Sequence, residues 1–121
     1  MDIVIAKRES ISEELKKIRK MRSEARTAYK ALWSKVEPAP VAEQKDFNKQ
    51  LIKINTKLSA YIEALDVLMR TYMDFKEDDG MYEIECVKSI LVAEMRAVEA
   101  HEALNIELDK QKEAREAMMR W

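Results

Sequence analysis

A chain of 121 residues fits a single domain spanning residues 1–121. Its charged share of 37%, against an ordinary share of roughly 25%, accompanies 47% hydrophobic residues, which excludes disorder and favours long helices with one buried stripe and broad solvated faces. One glycine and two prolines leave too few breakers for an all-β domain, and a formal net charge of −1 gives no uniformly basic surface.

The first predicted helix covers about 10–36. Ser10 and Glu13 have the S-x-x-E spacing of a capping box, in which each side chain satisfies a backbone N–H at the helix start. The apolar stripe reads Ile11, Leu15, Ile18, Ala25, Tyr29, Leu32 and Val36, with Arg22 in an apolar slot. Val4 and Arg8 continue the same phase, so an extension back through residues 2–9 is left open. Glu37-Pro38-Ala39-Pro40 ends the helix, since proline and the residue before it resist the α conformation.

The second helix is predicted over 41–76, with Pro40 placed at its first turn. Phe47, Leu51, Ile54, Leu58, Tyr61, Leu65, Leu68, Tyr72 and Phe75 follow steps of four and three without a break, the 3.5-residue period of a coiled-coil seam. Ile52, Ile62, Met69 and Met73 add a second row, which implies two neighbours and a central position. Glu77-Asp78-Asp79-Gly80 is the next break, with Gly80 suited to a left-handed cap.

The third helix is predicted over 81–120. Ile84, Val87, Leu91, Met95 and Val98 make its first stripe; Ala93, Ala97, Ala100, Leu104 and Leu108 make a slighter second half. Short connections make successive helices antiparallel. The expected fold is therefore all-α, an elongated antiparallel three-helix bundle with coiled-coil-like packing. Its thin core favours completion by a partner or by another copy of itself.

Antiparallel register places Arg22, Asn55, His101 and Asn105 near one level. Three readings stand for such a polar layer: a device that fixes register, a simple solvent-facing arrangement as the seam drifts, or donors for a small anion. A buried Arg22 needs a counter-charge, and Glu102 is a candidate.

Charge is the main functional clue. Residues 1–36 carry ten Lys and Arg against five Asp and Glu; residues 37–76 carry six of each; residues 77–121 carry six against twelve. The first and third helices are thus oppositely charged, which favours partner choice and register in protein association. A basic face of Lys16, Lys17, Arg19 and Lys20 with Lys53 and Lys57 is the alternative, meeting nucleic acid or another anion, although no aromatic residue interleaves the basic run. Trp33, Met118, Met119 and Trp121 form a candidate partner surface at one end of the rod.

Catalytic chemistry finds little support. His101 is the single histidine, so a Glu-x-x-His pair of metal motifs is not available; Cys86 lies about four turns from it on the same predicted helix, too far for a Cys–His dyad, and one glycine cannot build a phosphate loop. No enzyme activity, metal or cofactor is expected. The charge at Lys7 interrupts any apolar leader, no run reaches the ~18 apolar residues of a membrane span, and Cys86 has no internal disulfide partner. A cytoplasmic interaction protein that binds itself or a protein partner is the expected function.

Overall fold

The computed structural model describes residues 2–36 and 45–119. They form three α-helices: α1 (Asp2–Trp33), α2 (Lys45–Glu77) and α3 (Glu83–Met119). At 1.5 Å per residue each is about 50 Å long. The architecture is the expected three-helix bundle, with α2 packed extensively along α3, less so along α1, and α1 touching α3 at few points. The main apolar row of α2 lies in the core, whereas of the predicted second row Ile62 and Met69 are half-buried and Ile52 and Met73 are exposed. No described helix is long and apolar enough to cross a membrane.

The start of the first helix differs from the capping-box expectation. α1 begins at Asp2, so Ser10 lies inside it and donates its hydroxyl hydrogen bond to the Lys7 carbonyl at 3.1 Å. The extra turns are held because Val4 is buried and Lys7 and Arg8 make tertiary bonds. The helix ends at Trp33, three residues early, in a tightened turn with Lys35 N to Leu32 O at 3.0 Å and Val36 N to Trp33 O at 3.2 Å. Residues 41–44, the expected first turn of the second helix, lie outside the described residues, as do Pro38 and Pro40.

Asp78 organises the connection between α2 and α3. Its carboxylate accepts from the backbone N–H groups of Gly80 at 2.9 Å and Tyr82 at 3.1 Å. Gly80 has φ of +105°, a conformation that L side chains rarely adopt. α3 then starts at Glu83, two residues later than the spacing predicts, because Asp78 holds 80–82 in a turn.

The core has two parts. The larger, toward the Gly80 turn, gathers Val4, Ile11, Leu15 and Ile18 of α1, Leu65, Leu68, Tyr72 and Phe75 of α2, and Val87, Ile90, Ala93 and Ala97 of α3. The smaller, toward the other end, contains Ala25, Ile54, Leu58 and Leu104, with Tyr29, Leu32, Tyr61 and Ile62 packed against it. The predicted stripes of α1 and α2 are largely the buried ones, except that Phe47 is exposed.

The first stripe of α3 is reversed. Of its five residues only Val87 is buried; Ile84, Leu91, Met95 and Val98 face solvent. The inward positions are Val87, Ile90, Ala93, Ala97 and Leu104. Tyr72 and Phe75 supply bulk from α2, so alanines on the facing helix allow the close approach that a rod of large side chains would prevent.

Candidate interaction surfaces

A helix places residues at i, i+3, i+4 and i+7 on one face. On α3 this gathers Ile84, Lys88, Leu91, Met95, Val98, Glu102 and Ile106 along one exposed side of the helix. Ile84, Met95, Val98 and Ile106 are each more than half exposed, and Val92 beside them is nearly so. Scattered exposed apolar residues are ordinary, whereas these recur along one side of α3, with Lys88 and Glu102 set among them.

Beneath this face, polar pairs tie the helices together. Lys7 pairs with Glu94 and donates to the Tyr72 hydroxyl at 3.2 Å, and Tyr72 donates to Glu94 at 3.1 Å. One residue from each helix thus meets the other two. Burial pushes the Tyr72 phenol up, Lys7's hydrogen bond pulls against it, and the Glu94 charge adds to the rise. Burial opposes the charge on Lys7, but its bonds to Glu94 and Tyr72 outweigh that and its pKa is raised. Arg8 stacks on the Phe75 ring at 4.2 Å and donates to the Phe75 carbonyl at 2.9 Å and to Glu83 at 3.1 Å. Its guanidinium also lies 3.4 Å from Asp78.

The four residues expected in one polar layer occupy different surroundings. Arg22 pairs with Asp66 on the α1-facing flank of α2, not with Glu102. Asn55 is buried, and neither polar atom of its side chain has a hydrogen-bond partner among the described residues. His101 and Asn105 are exposed on α3 and lie 3.4 Å apart through Nδ1 and Nδ2; the His101 ring packs on Tyr61 at 5.1 Å. The separation follows from register: α1 and α2 are set by Met21 against Tyr61 and Lys7 against Tyr72, which brings the Arg22 side chain to the carboxylate of Asp66.

The predicted basic face is also divided. Lys16, Lys17, Arg19 and Lys20 are exposed on α1; Lys16 and Lys17 lie 3.9 Å and 3.6 Å from Glu13 and Glu14 of their own helix. Lys53 lies on the α3 side of α2, close enough to Glu107 to help hold that carboxyl below its usual range, an effect due first to the Gln50 amide. Lys57 shares the row of Lys53 and Tyr61, so it too belongs to the α3 side.

A different basic site is present. Arg19, Arg22, Ser23, Arg26, Thr27 and Lys30 line an open depression of about 340 Å³ on α1. Arg26, Tyr29 and Lys30 continue it into a groove of about 480 Å³ against Ser59 and Ile62 of α2. Trp33, exposed, stacks on Tyr29 with ring centroids 6.4 Å apart. The sequence signal was the spacing of Arg19, Arg26 and Lys30 on one helical flank, which the denser run at 16–22 obscured. Trp33's expected partners are not described: the side chains of Met118 and Met119 and all of Trp121 lie outside the described residues.

No protein-family model matches this chain, and neither a curated protein nor a solved structure matches it.

Proposed function

We propose that this chain is a non-enzymatic interaction protein that docks through helix faces, the outward face of α3 first among them. The observation that carries this reading is the exposure of Ile84, Leu91, Met95, Val98 and Ile106 along one side of a helix whose other side already fills the core. Burying one such side chain contributes about 1.5–3 kcal/mol, so a few of them suffice to hold a partner. The half-buried, unpaired Cys86 suits a reducing, cytoplasmic setting.

The test compares native extracts of the source cell containing the wild-type chain or a Leu91→Glu, Met95→Glu variant. The wild type is expected in an assembly clearly larger than the 14.2 kDa chain, and the variant at the mass of the free chain. A wild type that runs free would overturn the reading.

A second reading rests on the Arg19–Lys30 depression and its Tyr29–Trp33 stack. Cations beside an aromatic platform suit a single-stranded nucleic acid or another polyanion. Retention on heparin at low salt, lost on Arg26→Glu with Lys30→Glu, supports it; equal elution of the two proteins excludes it.

A further inference from the structure

We propose that the occupant of the α3 face is the α3 face of a second copy, laid antiparallel with Met95 on the two-fold axis. This rests on the reading of α3 as a docking face and names its partner.

Antiparallel self-pairing about Met95 brings each residue opposite the one equally far from Met95 on the other copy. Ile84 then meets Ile106, and Lys88 meets Glu102. Leu91 meets the aliphatic part of Glu99, Val92 meets Val98, and Met95 meets itself. Every apolar member of the face is thereby covered, no like charges are opposed, and the one cation on the stripe falls against a carboxylate. Because the contact is isologous, the Lys88–Glu102 pair occurs twice. Both residues are exposed, and no ion pair engages either of them among the described residues of a single chain. The face also has the right dimensions: Ile84 to Ile106 spans about 33 Å of straight helix, and Met95 sits at its centre, opposite the buried Ala93 and Ala97. A register shifted by four residues loses this pairing: Lys88 then meets Val98 or Ile106, and Glu102 meets Ile84 or Val92. A shift of three residues sets Glu102 against Glu85 in one direction, and in the other sets Lys88 against Asn105 and Glu102 against Leu91.

Charge reversal gives a signature specific to this geometry. Wild-type protein is expected at twice the chain mass by light scattering at 100 µM or so. Lys88→Glu alone and Glu102→Lys alone should each weaken self-association at least tenfold, since each places two like-charged pairs at the contact. The double variant should return to within a few-fold of wild type. Mixing the two single variants should give a heterodimer, because each then supplies the charge the other lacks. On the axis, Met95→Cys in a Cys86→Ser background should form a disulfide-linked dimer under mild oxidation, and Lys88→Cys should not. A monomeric wild type, single reversals without effect, or no rescue in the double variant each overturn the proposal. A photo-crosslinking residue at position 95, used in the source cell, separates the two levels of the reading. Cross-links at twice the chain mass support the second copy. Cross-links only to a different protein overturn it and leave α3 as a docking face. No cross-link at all removes both.

Discussion

Asn55 sets a polar amide at a buried position of the α2 seam, near Ile54, Leu58 and Leu104, without a hydrogen-bond partner for either atom among the described residues. Burial of an unsatisfied amide costs about 1–3 kcal/mol. Asn55→Leu is therefore expected to raise stability by about 1–2 kcal/mol, read as a higher urea midpoint at unchanged slope; a lower midpoint would refute the assignment. The Lys7–Tyr72–Glu94 group makes a second prediction. Tyr72 and Lys7 both hold their protons more tightly folded than unfolded, so their stabilisation is complete below the ordinary values of 10.0 and 10.5 and is lost as the pH rises past them. Urea midpoints are expected to stay level from pH 8 to about 9.5 and to fall beyond it. Tyr72→Phe should lower the midpoint at neutral pH by about 1 kcal/mol and flatten the alkaline decline. Of these residues, Arg22 and Asn55 stand out in sequence as polar or adjacent to an apolar stripe. Their partners do not, because side-chain reach and register decide whether Arg22 meets Asp66 or a residue of the third helix.

At the scale of the element, α1 and α2 were legible because each carries a single dominant period flanked by charges. α3 carries two: one of large residues, Ile84, Leu91, Met95 and Val98, and one mixing Val87 and Ile90 with Ala93 and Ala97. Periodicity ranks tracks by bulk, so it selects the heavier one. The bundle selects by fit, and Tyr72 and Phe75 already fill the space that a second bulky row would need. The assignment can be checked by a pair of adjacent substitutions. Ile90→Ala is expected to cost about 2–5 kcal/mol. Leu91→Ala should stay within about 0.5 kcal/mol when stability is measured at protein concentrations low enough to keep the chain monomeric. Equal costs would mean that the face is wrongly assigned. The outward stripe, the candidate site, was thus visible in the sequence as a stripe, while its direction was not.

Across the whole molecule, stability is unevenly distributed. The larger core cluster, the Lys7–Tyr72–Glu94 group and the Arg8 clasp on Phe75 and Glu83 all lie toward the Gly80 turn. The other end has the smaller cluster, the buried Asn48 and Asn55, and the exposed Phe47 and Ile106. Amide hydrogen exchange follows local opening, which is easiest where buried apolar contact is sparse. Amides of 62–75 and 87–97 are expected to exchange slowest, and those of 45–52 and 106–116 at least tenfold faster. Uniform protection along all three helices would contradict this gradient.

One connection carries a consequence for how the chain acquires its shape. Only residues 78–82 separate α2 from α3. So short a link closes at low entropic cost, and it joins the pair with the more extensive interface. The α2–α3 hairpin is therefore the natural nucleus, and α1 is the last helix to dock although it is the first to be synthesised. A ribosome making this protein releases a basic, amphipathic helix well before the surface that will shelter it exists, so the opening third of the chain spends the longest time unpaired.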